Sequence, residues 1–241
     1  MKIPPTLRKG DTVAIAATAR KISKEIIESS VEILKTWGLK VVFAPNLFKE
    51  ENQFAGSDKE RAAGFQWALD NTDVKAIILA CGCYGTMRVI DNLNFKKFVK
   101  NPKWIVGYSD TTIIQSHLVN LAVASIHGTM AFQFTKHEEA TESLRKVLFC
   151  DKQEYETESH KLNRVGEAKA EVVGGNLSLL YALSGSHSDI DTKGKILFLE
   201  DLDEYLYHVD RMMLQLKRSG KLKNLKGLIV GGMSDIKDNA I

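Results

Sequence analysis

Ser109 closes an apolar run in Trp104-Ile-Val-Gly-Tyr-Ser-Asp-Thr-Thr112, with an acid and two threonines directly behind it. Ile113, Ile114, His117, Leu118 and Leu121 then recur at helical spacing. The stretch reads as a strand, a tight turn and a helix that starts on the turn. A serine at such a corner lifts its hydroxyl out of the sheet, beside the free N–H groups of a helix start. Those donors can stabilise an oxyanion. Helix capping by Ser109 or Asp110 is the competing reading, because both residue types are favoured N-caps. The pattern also departs from the hydrolase elbow G-x-S-x-G, since Thr111 stands where the second glycine would be.

Two further clusters carry chemistry. Cys81-Gly-Cys-Tyr-Gly85 follows an apolar strand, and its glycines free the backbone to approach a ligand or to present N–H groups. A tight strand-to-helix turn explains the same glycines. Cys83 is a possible nucleophile or an inert thiol, and two cysteines this close are too few for zinc. Glu200-Asp-Leu-Asp-Glu204 ends a strand late in the chain. A carboxylate there can orient a histidine, as the acid of a triad does; helix capping and solvation explain it equally. Tyr207, Asp210 and Arg211 share one helix face. The six histidines include no H-x-x-x-H pair, so neither a metal nor another cofactor is expected. His127, beside Gly128, is the histidine expected nearest Ser109, whereas His117 suits a core position.

The elements that must position these residues alternate. Strands are expected over 12–17, 40–43, 76–80, 104–106 and 122–126. Helices are expected over 24–37, 57–69, 93–100, 112–121 and 138–149. Ser57-Asp-Lys-Glu60 is a capping box. Strand–helix alternation with short links argues for a parallel sheet covered by helices on both faces. Ligands bind such sheets at the C-terminal strand ends, which is where Ser109 and the Cys81–Gly85 loop fall. Residues 151–166 turn polar and charged, and the domain boundary is placed there, dividing 1–150 from 167–241. The second unit is expected to hold strands at 168–173, 195–199 and 228–230, with helices at 177–183 and 207–219. The run 228–230 has the character of a central strand, and an exposed apolar edge is expected there.

Composition narrows the class. The 241 residues carry a net charge of +3, with 44% apolar and 26% charged residues, average for a soluble globular protein. The charge is too small and too scattered for nucleic acid. No apolar run approaches a membrane span, and Met1-Lys-Ile-Pro-Pro5 lacks the apolar core of a signal peptide. Three cysteines without framework spacing suit a reducing cytoplasm.

The chain resembles the LD-carboxypeptidase family, serine peptidases that include the microcin C7 self-immunity proteins. The resemblance rests on short stretches in shared order over residues 7–232. They are Leu7-Arg-Lys-Gly-Asp-Thr-Val-Ala-Ile15, Tyr84-Gly-Thr-Met-Arg88, Val106-Gly-Tyr-Ser-Asp-Thr-Thr112 and His127-Gly-Thr-Met130. Val173-Gly-Gly-Asn-Leu-Ser178, Phe198-Leu-Glu-Asp201 and Tyr207-His-Val-Asp-Arg211 follow. The family fold implied is a Rossmann-like α/β domain with a smaller, β-rich α/β C-terminal domain. The family activity implied is removal of the terminal D-alanine from murein tetrapeptides in cell-wall recycling, or hydrolysis of microcin-type peptide–nucleotide conjugates. A Ser-Glu-His triad is implied, with Ser109 the nucleophile and Glu200 the acid. Amides near Gly85 and of Asp110 would form the oxyanion hole. Tyr84, Arg88 and Asn176 are the expected substrate contacts, Arg88 for the free carboxylate. Family members are usually homodimers.

Two departures stand out. Cys83 occupies a position where the family often has glycine, which restricts the backbone. The family's histidine falls after the last expected strand, beyond Ile241, so a C-terminally truncated and inactive form is expected. A non-catalytic small-ligand module is the alternative from another class.

Overall fold

The structure is a computed structural model that describes residues 1–149 and 153–239. The expected boundary at 150 and the first two residues of the expected linker lie outside the described residues.

Five short strands form one parallel sheet. They are β1 (Thr12–Ala16), β2 (Lys40–Phe43), β3 (Val74–Leu79), β4 (Trp104–Gly107) and β5 (Ile126–His127), in the spatial order β2-β1-β3-β4-β5. Because side chains alternate along a strand, Val13 and Ile15 face one side while Ala14 and Ala16 face the other. Each side is dry. Val13, Ile15 and Ile78 pack with Ile27 and Leu34 of α1 (Lys24–Thr36) and with Leu144 of α5 (Glu138–Leu148). Ala14, Ile77 and Ile105 pack with Phe65 of α2 (Asp58–Asp70), Phe98 of α3 (Lys96–Lys100) and Ile113 of α4 (Thr112–Asn120). Burial on both faces explains why the central strands read as unbroken apolar runs.

A second sheet holds β6 (Val172–Asn176), β7 (Ile196–Leu202) and β8 (Gly227–Ser234), all parallel and in chain order. Leu177 and Leu180 of α6 (Leu177–Ala182) and Met212 and Leu216 of α7 (Leu206–Arg218) cover it. Val119 of α4 packs on the same cluster. Helix α4, which carries the turn after Ser109 into the fold, is thus shared by both sheets. Edge strand β8 leaves Leu228, Ile229 and Val230 about half exposed, as the apolar run suggested.

Several boundaries moved for identifiable reasons. Asn94 binds the Lys96 amide and exchanges hydrogen bonds with Gln66, and this local alternative delays α3 to Lys96. Two short 3-10 turns, Thr86–Arg88 and Ile90–Asn92, fill the stretch before it. Strand β5 is only two residues long, because Ala122 takes a left-handed turn (φ 54°) and Val123 bridges to Lys2 near the N-terminus. Gly174-Gly-Asn176, which follow the strand expected over 168–173, belong to β6, and Glu200 and Asp201 lie inside β7 rather than past its end. The capping box at Ser57 formed as expected, with the Ser57 side chain accepting from the Glu60 amide and Glu60 reaching back to the Ser57 amide.

Candidate active site

Strand β4 ends at Gly107, and Ser109 begins a 3-10 turn, Ser109–Thr111, that runs directly into α4. Ser109 sits at φ 55°, a left-handed conformation that a residue with a Cβ adopts at a cost of about 1–3 kcal/mol. Neither Ser109 nor Asp110 caps the helix. The Ser109 hydroxyl makes no hydrogen bond to any described group. The capping reading therefore fails, and what remains is a strained corner holding a free, half-buried hydroxyl.

Asp110 has a different task. Its buried carboxylate accepts the Thr86 backbone N–H at 2.8 Å, and so locks the Gly85–Thr86 turn against the Ser109 turn. Burial pushes the Asp110 carboxyl above the usual range, while the Thr86 and Gly85 groups pull it down. The Thr86 amide is consumed by this bond. The Asp110 amide lies against the Cys81–Gly85 loop: a Cβ on Gly82 would stand 3.6 Å from that nitrogen and 3.5 Å from the Ser109 Cβ. The loop itself is strained at Cys83 (φ 81°). Gly85 must be glycine, with φ 145° and a Cβ position only 2.8 Å from the Ala19 Cα.

Arg61, wholly buried on α2, holds the back of this loop. Its guanidinium donates to the Gly85 carbonyl at 2.9 Å, to the Gly56 carbonyl at 3.2 Å and to the Thr18 carbonyl, and it pairs with Asp58. Burial lowers its pKa, and Asp58 opposes that shift. Arg88 also forks onto Asp58, through Nε at 3.0 Å to each carboxylate oxygen and Nη2 at 2.8 Å. The Arg88 pKa is raised chiefly by this partner. Arg88 is thus exposed but oriented, with part of its charge already offset. Tyr84 is half exposed at the loop tip, its ring 5.9 Å from that of Phe54.

Glu200 comes from the second sheet. It pairs in register with Asn176 of β6, and on its other side β8 carries one extra residue, so that Gly231 and Gly232 together oppose Glu200. Its Oε1 is buried without a hydrogen-bond partner and lies 3.7 Å from Nε2 of His127, at the end of β5. Burial pushes the Glu200 carboxyl up to about 7, with Asp201 adding to the rise. Burial alone takes His127 down to about 4. Glu200 and Ser109 make no direct hydrogen bond. Strand β6, which pairs with β7 beside Glu200, is tied to the start of α4 by the Asn176 N–H, which donates to Thr112 Oγ1 at 3.1 Å.

Asn176, expected to meet substrate, is hydrogen-bonded within the fold. Its Oδ1 accepts from the Leu179 amide and the Ser178 hydroxyl, capping α6, and its Nδ2 donates to Asp201 at 2.9 Å. Asp201, buried beside it, also accepts the Ser178 amide at 2.8 Å. Arg61 and Gln115 escaped notice in the sequence, and Asp58, Thr112 and Asp201 figured there only within longer motifs. Asp58 and Arg61, at the i, i+3 spacing of an ion pair, offered the one local signal. Among the described residues no group of His, Cys, Asp or Glu is arranged to hold a metal ion, and no helix is long and apolar enough to cross a membrane.

Comparison with known proteins gives the same architecture. Residues 13–128 match the LD-carboxypeptidase N-terminal domain and residues 169–240 the LD-carboxypeptidase C-terminal domain. A probable murein peptide carboxypeptidase of Bacillus subtilis (strain 168) is 36% identical over 234 residues, spanning 94% of this chain and 73% of that protein. The microcin C7 self-immunity protein MccF of Escherichia coli is 25% identical over 262 residues, spanning 93% of this chain and 76% of that protein. The crystal structure of muramoyltetrapeptide carboxypeptidase from Oxalobacter formigenes superposes with a TM-score of 0.83 at 30% identity, covering 94% of this chain and 78% of that one.

Proposed function

This chain belongs to the LD-carboxypeptidase family, and we propose that it is a serine carboxypeptidase that removes the terminal D-alanine of murein tetrapeptides by cleaving an L,D-peptide bond in the cytoplasm. The observation that carries this reading is the Ser109 corner: a serine at φ 55°, hydroxyl unbonded, at the C-terminal end of a central strand. Strain of this kind persists only where surrounding structure enforces it, and it gathers at reacting groups.

In this reading the Ser109 Oγ attacks the scissile carbonyl and loses its proton to a histidine base, which the family resemblance does not place among residues 1–241. Glu200 orients that base through Oε2, the oxygen other than the one beside His127. The Asp110 amide and the amides of the Cys81–Gly85 loop meet the negative oxygen. The base returns its proton to the departing D-alanine amine, and water then cleaves the acyl-enzyme. His127 does not suit the role of base: its Nδ1 faces Gln115 and its Nε2 faces Glu200, so neither nitrogen is turned to Ser109. Arg88, held in place by Asp58, remains the candidate for the substrate carboxylate. The 36% identity to the murein relative, against 25% to the immunity protein, favours the murein reading over hydrolysis of peptide–nucleotide conjugates.

The test is release of D-alanine from a murein tetrapeptide by a form of the protein that supplies the histidine base and by the Ser109→Ala variant of that form. Release that vanishes in the variant supports the proposal. No Ser109-dependent release, or preferential cleavage of glutamyl sulfamoyl guanosine, overturns it.

A further inference from the structure

The ring of His127 is fixed by its neighbours. Gln115 donates both amide hydrogens, to the Gly107 carbonyl and to the Ile126 carbonyl, each at 2.9 Å. Two carbonyl acceptors settle which end of the amide is nitrogen. The Gln115 Oε1 is therefore the atom that faces His127 Nδ1 at 3.3 Å. An amide oxygen can only accept, so Nδ1 must carry the hydrogen. In the neutral ring the lone pair is then on Nε2, and Nε2 faces Glu200 Oε1 at 3.7 Å.

An ionised Glu200 would set one buried acceptor against another. Oε1 has no hydrogen-bond partner among the described residues, and a buried acceptor left unpaired costs about 1–3 kcal/mol. A single proton between the two atoms removes both problems, and an approach of about half an ångström brings them into hydrogen-bond range. Phe198 and Tyr108 confine the imidazole edge-on, with ring centroids at 5.4 and 6.2 Å. The flanking strand β6 comes close enough that a Cβ on Gly175 would stand 3.3 Å from Nδ1. The ring cannot turn away without breaking this frame.

We propose that His127 is a positioning residue for Glu200: the two side chains share one proton between Nε2 and Oε1, which anchors the carboxyl on that oxygen and leaves Oε2 for the catalytic base. No covalent bond changes; the proton moves only between a carboxyl oxygen and a ring nitrogen. The displaced pKa values agree with it, since the folded pair keeps a proton on the acid side up to about neutrality. The titratable groups that face the pair are Asp201 on β7, which raises Glu200, and Tyr108 after β4, whose phenol donates to Gln133. From α4 Gln115 faces His127, and from β6 Asn176 hydrogen-bonds Glu200 and lowers its carboxyl. The catalytic meaning of the pair rests on the peptidase reading, whereas the shared proton does not.

The experiment is ring-nitrogen NMR of the ¹⁵N-histidine-labelled protein with ¹³C-carboxyl glutamate, in the wild type and in E200Q. In the wild type, His127 should show the Nδ1–H form. Its Nε2 signal and the Glu200 carboxyl signal should move together in one step near neutral pH. In E200Q that step should disappear from Nε2. A His127 protonated at Nε2 alone in the neutral ring, separate steps for the two residues, or an unchanged step in E200Q would each overturn the proposal. The wild-type measurement decides by itself if E200Q does not fold. None of these signals depends on turnover, so failure of the peptidase reading would leave this result standing.

Discussion

Thr112 and Asn176 join the two sheets at the candidate site: the Asn176 backbone N–H donates to the Thr112 hydroxyl at 3.1 Å, and both residues are buried. The first turn of the helix behind Ser109 is thereby fastened to the strand that pairs with Glu200. Thr112→Val keeps the shape and removes the acceptor. The stranded N–H should cost about 1–3 kcal/mol in denaturant unfolding. Because the change misaligns Glu200 rather than any substrate contact, kcat should fall while KM holds.

The Glu200–His127 pair makes an unusual prediction about pH and stability. In the unfolded chain the proton resides on the histidine; in the folded protein it moves to the acid, whose carboxyl is raised to about 7 while His127 is lowered to about 4. Folding relocates one proton and takes up almost none, so the intact pair should add little slope to stability against pH. Single variants expose the halves. In E200Q only the depressed histidine remains, the unfolded state binds more protons, and stability should rise as pH climbs from about 4 to the ordinary histidine range. In H127Q only the raised acid remains, the folded state binds more protons, and stability should fall as pH climbs from the ordinary carboxylate range to about 7. Urea titrations at stepped pH measure both slopes, and slopes of equal sign would contradict the arrangement.

Ser109 should trade stability for chemistry. Ser109→Gly relieves the left-handed strain at φ 55°, so the variant should melt about 2–4 °C higher while losing all serine-dependent turnover. Ser109→Ala, which keeps the Cβ, should lose turnover without that gain.

Cys83→Gly tests the loop in the same way. Cys83 holds φ 81° while exposed to solvent, so replacement should raise the melting temperature by about 2–4 °C, for roughly 1 kcal/mol of relieved strain. Activity should be kept or improved, since the loop backbone already has the shape that glycine prefers.

Arg61→Met should be the most damaging of these changes. It leaves the carbonyls of Thr18, Gly56 and Gly85 without their buried donor, and a loss of about 3–5 kcal/mol is expected in chemical denaturation. Arg61→Lys can restore only part of it, because an ammonium lacks the planar fork that reaches three carbonyls.

Local chemistry determined much of this protein by itself. Unbroken apolar runs such as Ala76 to Ala80 mark strands buried on both faces, and the box at Ser57 and Glu60 writes a helix start into four residues. Such signals are local, so a chain of letters carries them. The strand–turn–helix at Ser109 was legible for the same reason, and the motif order pointed to the family. Only the tertiary structure decided what Ser109 and its neighbours do. Serine, aspartate and asparagine all cap helices in isolation. Asp110 instead spends its carboxylate on Thr86, while Asn176 does cap α6 and also donates its amide to Asp201. His127 and Glu200 show the limit most plainly. They are separated by 73 positions and drawn together by the ends of two different sheets, β5 and β7. Their pKa shifts come chiefly from burial, a quantity that does not exist until the chain has closed around them.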